Sequence, residues 1–236
     1  MAAAKGSSSP MTNLERALGG IFFAVYLIVL PFVADPMFSG LSRLLGRDIP
    51  DNVRNMIFYY TLFALTVIIF WNYLGRVTGH FFSNFWKTIW SVCLGLVGFY
   101  GLNELSYRVL DLVLSGMKNL NDMTISAQIH DAPRSTALII IFLAPFVEEV
   151  LFRGYVFGNI RNSNRLAAYI VSCLLFAFLH VWQFAVVNQS LAYFLLMLQY
   201  LVPGIVLAWV YERSGTLWSS ILLHAAVNAM AFWSIL

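Results

Sequence analysis

The chain is 236 residues long; 60% are apolar and only 11% are Asp, Glu, Lys or Arg. A soluble domain carries roughly 25% charged residues, so this surface cannot be kept in water, which excludes a soluble enzyme and a disordered chain. The formal net charge of +3 is too small to mark a nucleic acid as partner.

The composition therefore predicts an integral membrane protein, and the pattern predicts an all-α polytopic bundle. Residues 1–16, opening Met1-Ala2-Ala3-Ala4-Lys5-Gly6-Ser7-Ser8-Ser9-Pro10, read as a flexible tail. About 20 apolar residues cover a hydrocarbon core. Seven stretches qualify, near 17–38, 55–74, 88–104, 136–157, 166–186, 191–211 and 216–235. The first is too long for a signal peptide and lacks a small-residue cleavage site. Runs such as Ala137 to Leu143 do not alternate, so a barrel is ruled out and helices remain. The connection 105–135 mixes Tyr107, Val109, Leu110 and Leu112 with charges; it reads as an amphipathic, interfacial helix and leaves room for an eighth span. The chain thus divides into the tail, N-terminal helices with this connection (17–135), and a core of 136–236.

With the N-terminus in the cytoplasm, Lys5, Arg16, Arg76, Lys87, Arg161, Arg165 and Arg213 lie inside, and Arg43, Arg47, Arg54, Arg108, Lys118 and Arg134 outside. The difference is small, but Asp48, Asp51, Asp111, Asp122 and Asp131 also fall on the second side, which favours an inward N-terminus in the cell membrane. Cys93 and Cys173 each lie in an apolar run and read as small buried hydrophobes.

The chemistry sits in the second half. A charge at mid-span costs at least about 2.5–3.5 kcal/mol, so it marks function by default. The fourth span holds Glu148-Glu149-Val150-Leu151-Phe152-Arg153, the fifth Phe176-Ala177-Phe178-Leu179-His180, and the seventh His224-Ala225-Ala226-Val227-Asn228. Each places a polar group near a helix centre, at similar depth, which predicts one shared cavity. Glu149 and Arg153 are four apart and can pair; Glu148 is then the carboxylate left to act as general base. His224 and Asn228 also share a face, as a clamp for an oxyanion would require. His180 and Asn228 taken singly are better explained as interhelical hydrogen bonds, and Glu149 with Arg153 equally well as a structural ion pair, whereas Glu148 has no structural excuse. His80 and His130 fall in loops and carry no such argument. No His-Glu-x-x-His, no Gly-x-Ser-x-Gly and no aspartate pair within the spans is present.

Glu148-Glu149-x-x-x-Arg153, Phe176-x-x-x-His180 and His224-x-x-x-Asn228, in that order, resemble the motifs of the CAAX-protease and bacteriocin-processing (CPBP/Abi) family in its bacterial form. Ala144-Pro145-Phe146-Val147, Pro203-Gly204, Tyr211-Glu212-Arg213-Ser214-Gly215 and Leu217-Trp218-Ser219-Ser220-Ile221-Leu222-Leu223 are similar to its flanking text. The resemblance covers 136–236; the first 130 residues match only as hydrophobic spans. It implies an intramembrane endopeptidase acting on membrane-bound peptides or lipidated proteins. Glu148 would activate water with help from His180, and His224 and Asn228 would stabilise the oxyanion. Glu149, Arg153 and Phe176 would support the site. Glu148, His180 and His224 are also the right donor types for zinc with a water in the fourth position; the Arg153 cation beside them favours a metal-free site. A non-proteolytic immunity or regulatory protein is a rival, and a proton-coupled carrier a weaker one, since the first three spans hold no comparable buried charges.

Overall fold

The computed structural model describes residues 11–114 and 117–236, and among these every regular element is helical. In chain order they are α1 (Asn13–Leu45), α2 (Asp51–Ile69), α3 (Trp71–Ser83), α4 (Phe85–Leu114), α5 (Leu120–Asp131), α6 (Pro133–Ile160), α7 (Arg165–Leu179), α8 (Trp182–Val187), α9 (Leu191–Ser214) and α10 (Leu217–Ile235). Six of them, α1, α2, α4, α6, α9 and α10, are long and apolar enough to cross a membrane. The chain is a multi-pass membrane protein of the expected all-α class.

Several boundaries differ from the sequence reading, each for a local reason. The part of the 1–16 tail that is described is already structured, because Thr12 and Glu15 form a reciprocal cap and α1 begins at Asn13; residues 1–10 lie outside the described residues. The other Glu15 oxygen accepts the Tyr73 N–H at 2.6 Å, satisfying an orphan donor in the first turn of α3. The expected span 55–74 is divided at Phe70, where α2 stops and α3 starts. The span 88–104 is part of a longer helix that extends through residues 105–114. The next helix, α5, has 12 residues, too short for an eighth crossing. The expected fifth span, 166–186, is the largest correction. Its helix α7 has 15 residues and ends at Leu179, so His180 stands at a helix end and not at mid-span. Cys173 is buried as expected, whereas Cys93 is exposed on α4, and both thiols are free.

Helix α6 is the central strut and the most enclosed of the crossing helices. It packs against α1, α2, α7 and α10, with Val147, Val150, Leu151, Phe152 and Phe157 buried among them. Its backbone is not uniformly α-helical. Ala144 N–H bonds Ile139 O, five residues back, directly before Pro145. The same wide turn occurs in α1, where Leu30 N–H bonds Val25 O before Pro31. A proline has no N–H and its ring crowds the carbonyl four residues earlier, so a π turn ahead of it relieves the clash. A second wide stretch, Val150–Phe157, carries the helix past the acids. Close approach at small residues sets the remaining contacts, as between lipid-embedded helices generally. A side chain on Gly204 would come within 3.3 Å of Cys173 Cβ, and one on Gly95 within 2.7 Å of Leu223, so α9 meets α7, and α4 meets α10, almost backbone to side chain.

Candidate active site

Helices α6, α7 and α10 bring the expected residues to one place. Glu149 and Arg153 are fully buried, and Arg153 Nη1 donates to Glu149 Oε1 at 2.8 Å. Arg153 Nη2 donates to Gly204 O on α9 at 3.1 Å, and its guanidinium lies 4.4 Å from the Phe176 ring centroid. The guanidinium is thus held by a carboxylate, a carbonyl and an aromatic face, as a buried cation requires. The pairing expected from the four-residue spacing is present.

His224 bridges the two acids. Its Nδ1 lies 2.8 Å from Glu149 Oε1, and its Nε2 lies 4.0 Å from Glu148 Oε2. A carboxylate accepts, so Nδ1 carries the hydrogen and Nε2 is turned toward Glu148. Glu148 is 8% exposed, and its Oε2 makes no hydrogen bond among the described residues. The neighbouring acids are therefore unlike: Glu149 is committed to Arg153 and His224, and Glu148 faces open space.

That space is a cavity of about 1640 Å³ lined by Glu148, Phe176, His180, His224 and Asn228. Its other walls come from α1, α2, α4, α5, α8 and α9, with Tyr26, Tyr59, Asn103 and Tyr200 among them. His180 Nδ1 lies 2.8 Å from Phe176 O. A carbonyl only accepts, so Nδ1 donates and Nε2 is left as the acceptor. The Phe176 ring separates the two histidines, 4.7 Å from His180 and 5.9 Å from His224.

Asn228 is tied differently from the expected clamp. Its Nδ2 donates to Ile140 O on α6 at 2.7 Å. In the wide register set by Ala144, the next donor to Ile140 O would be residue 145, which is proline. The carboxamide of Asn228 fills that place with one of its two N–H bonds. His224 and Asn228 thus share a face of α10 as expected, and both reach α6, at Glu149 and at Ile140.

As zinc ligands, Glu148, His180 and His224 have suitable chemistry and an oriented histidine, since Glu149 holds His224 as outer carboxylates hold ligating imidazoles. Yet among the described residues no three His, Cys, Asp or Glu side chains are grouped closely enough to hold a metal ion. The donor set fits a metal in type and not in placement.

Sequence reasoning missed Tyr200 of α9, whose ring stacks on His180 with centroids 4.4 Å apart and planes at 23°. It also missed Asn119, Asn121 and Asp122, which surround the Tyr200 hydroxyl. No local pattern announces these residues, because they meet only when α5 docks on α9.

Comparison with known proteins places a match on the same segment. Residues 131–230 match the family model described as type II CAAX prenyl endopeptidase Rce1-like. The UPF0177 protein YxdF of Lactococcus lactis subsp. lactis (strain IL1403) is 32% identical over 90 residues, 38% of this chain and 44% of its own. The UPF0177 protein in abiGi 5'region of Lactococcus lactis subsp. cremoris is 36% identical over 93 residues, 39% of this chain and 35% of its own. The chain thus matches less than half the length of either relative. No solved structure matches it. The matched segment contains Glu148, Glu149, Arg153, Phe176, His180, His224 and Asn228, and the family resemblance read from the motifs holds there.

Proposed function

We propose that the protein is an intramembrane endopeptidase in which Glu148 activates the attacking water, acting on membrane-bound peptides or lipidated proteins. The observation that carries this is the asymmetry of the acid pair. Glu149 is fully buried with Oε1 bound to Arg153 and His224, while Glu148 lines the cavity with Oε2 4.0 Å from His224 Nε2. That separation is too long for a direct hydrogen bond and short enough for one water to bond both groups.

In the reaction, Glu148 takes a proton from water as the water oxygen bonds the carbonyl carbon of the peptide, and the π pair moves onto the carbonyl oxygen. His180, through the Nε2 lone pair, assists in orienting that water. The oxyanion is met by the uncommitted N–H of Asn228 and by His224 when its Nε2 carries a proton. Collapse breaks the C–N bond, and the proton held by Glu148 passes to the departing amine. Glu149 and Arg153 touch no reacting atom; they fix His224.

Similarity of residues 131–230 to a CAAX endopeptidase family supports the peptide substrate, and the ungrouped donor set supports catalysis without a metal. The braced His224 Nδ1 favours a second reading, in which Glu148, His180 and His224 would have to move together to hold a zinc ion, whose chemistry would be that of a Lewis acid. The deciding experiment assays purified protein in liposomes on a library of internally quenched membrane-anchored peptides, with and without EDTA, beside Glu148→Gln. Cleavage that survives EDTA and vanishes in the variant supports the glutamate mechanism. Cleavage by Glu148→Gln at the wild-type rate overturns it.

A further inference from the structure

We infer that Tyr200 is a positioning residue that sets the ring plane of His180 and ties it to the start of α5. The inference rests on the reading of His180 as the residue that orients the attacking water.

His180 stands where α7 ends, so no helical turn beyond it confines its ring. The bond from Nδ1 to Phe176 O anchors one atom and leaves the ring free to swing about that axis. Tyr200 removes this freedom, because its ring lies 4.4 Å from the imidazole and nearly parallel to it. Phe176 sits at 4.7 Å with planes at 53° and closes another side. With the plane fixed, the direction of the Nε2 lone pair is fixed too.

Tyr200 is itself held to an unusual degree. Its hydroxyl accepts from Asn119 Nδ2 at 2.8 Å and from Asn121 Nδ2 at 3.3 Å. It has two acceptors within reach for its own proton, Asn119 Oδ1 at 3.2 Å and Asp122 Oδ1 at 3.3 Å. Asn119 Oδ1 already accepts the N–H groups of Asn121 and Asp122 as the cap of α5, so the Asp122 carboxylate is the better acceptor. Asn119 Nδ2 also reaches Gln199 Oε1 at 2.8 Å, which braces the residue before Tyr200. The phenol thus has its full complement of partners from one helix turn. Residues of that helix, including Ile125, Gln128 and Ile129, line the cavity that His180 faces. A side chain whose ring stacks on His180 and whose hydroxyl is held by the start of α5 makes the orientation of His180 depend on α5 being docked.

The test uses full-length protein in liposomes, labelled with [15N]histidine, with His180→Gln identifying the His180 signals by solid-state NMR. Wild type shows one Nδ1–H tautomer for His180. Tyr200→Leu, which removes the stack, keeps that tautomer but broadens the His180 ring signals, and Tyr200→Phe, which keeps the ring, leaves them sharp. On a quenched peptide that Glu148→Gln fails to cleave, Tyr200→Leu lowers kcat by about 10–100-fold with KM little changed, and Tyr200→Phe restores most of it. Should Tyr200→Leu fail to fold, the double variant Asn119→Ala/Asn121→Ala keeps the Tyr200 side chain but releases its hydroxyl, and is expected to broaden the His180 signals. Unchanged signals and unchanged kcat in Tyr200→Leu overturn the inference. Wild-type cleavage by His180→Ala would instead refute the role of His180, while the NMR comparison still decides whether Tyr200 positions it.

Discussion

Glu149 Oε1 lies 2.8 Å from both Arg153 Nη1 and His224 Nδ1, so one carboxylate oxygen joins two helices and fixes an imidazole between two acids. The arrangement separates the tasks of adjacent residues. Removing Glu148 and removing Glu149 should therefore fail in different ways.

Glu148→Gln is expected to lower kcat/KM by roughly 10²–10⁴-fold, the scale of a lost general base. Glutamine keeps the size and polarity of the side chain, so thermal unfolding in detergent should match wild type. A large loss of stability alongside the lost activity would assign Glu148 a structural role.

Glu149→Ala strands the Arg153 guanidinium in a fully buried position. The cost is expected near 3–5 kcal/mol, as for other broken buried pairs, read from equilibrium unfolding in mixed micelles. Glu149→Ala combined with Arg153→Met should cost less than the single change, because no unpaired charge remains. Equal costs would show that the stranded charge is not the source of the loss.

Asn228→Ala frees Ile140 O and is expected to cost about 1–3 kcal/mol. Asn228→Asp should be worse, since a carboxylate would face a carbonyl oxygen with no proton between them. Both are measured in the same unfolding experiment, and the order of the two variants is the test.

Gly204→Leu is expected to destabilise by about 1–3 kcal/mol, the scale of overpacking, because its side chain would press on Cys173. It should also lower activity, since displacing α9 moves the carbonyl that receives Arg153 Nη2. A variant that is destabilised yet fully active at low temperature would separate Gly204 from the site.

Chelation is expected to leave the rate unchanged. Loss of cleavage in EDTA with restoration by zinc would make Glu148, His180 and His224 ligands and transfer water activation to the metal.

The site was legible where chemistry and helical spacing coincide. Glu149 and Arg153 pair because four residues bring them to one face, and the cost of lipid exposure draws Glu148, His224 and Asn228 to a common cavity. The end of α7 was not legible. Leu179-His180-Val181-Trp182 contains no Gly or Pro, and its hydropathy continues smoothly into α8. The break at Phe70 is hidden in the same way, inside an apolar run. Residues 105–114 misled in the other direction: charges among the apolar residues suggested a connection, but Arg108 pairs with Glu104 four residues back on an exposed helical face. The bond from Asn228 to Ile140, and Tyr200 beside His180, depend on which helices dock together, and no local pattern encodes that choice.

The wide turn before Pro145 has a consequence for how α6 presents its acids. Each such turn adds one residue to the helix, and one residue corresponds to about 100° of rotation about the axis. Residues 144–149 are therefore out of phase with residues 133–138, and a straight helical wheel drawn through the whole span misassigns the faces on either side. The azimuth of Glu148 is set upstream, by a proline and the five residues Ile139–Leu143 ahead of it. Deleting one of those five would remove the added residue and restore an α-helical turn, leaving the acid pair near its present azimuth but pressing the Pro145 ring against the carbonyl four residues before it.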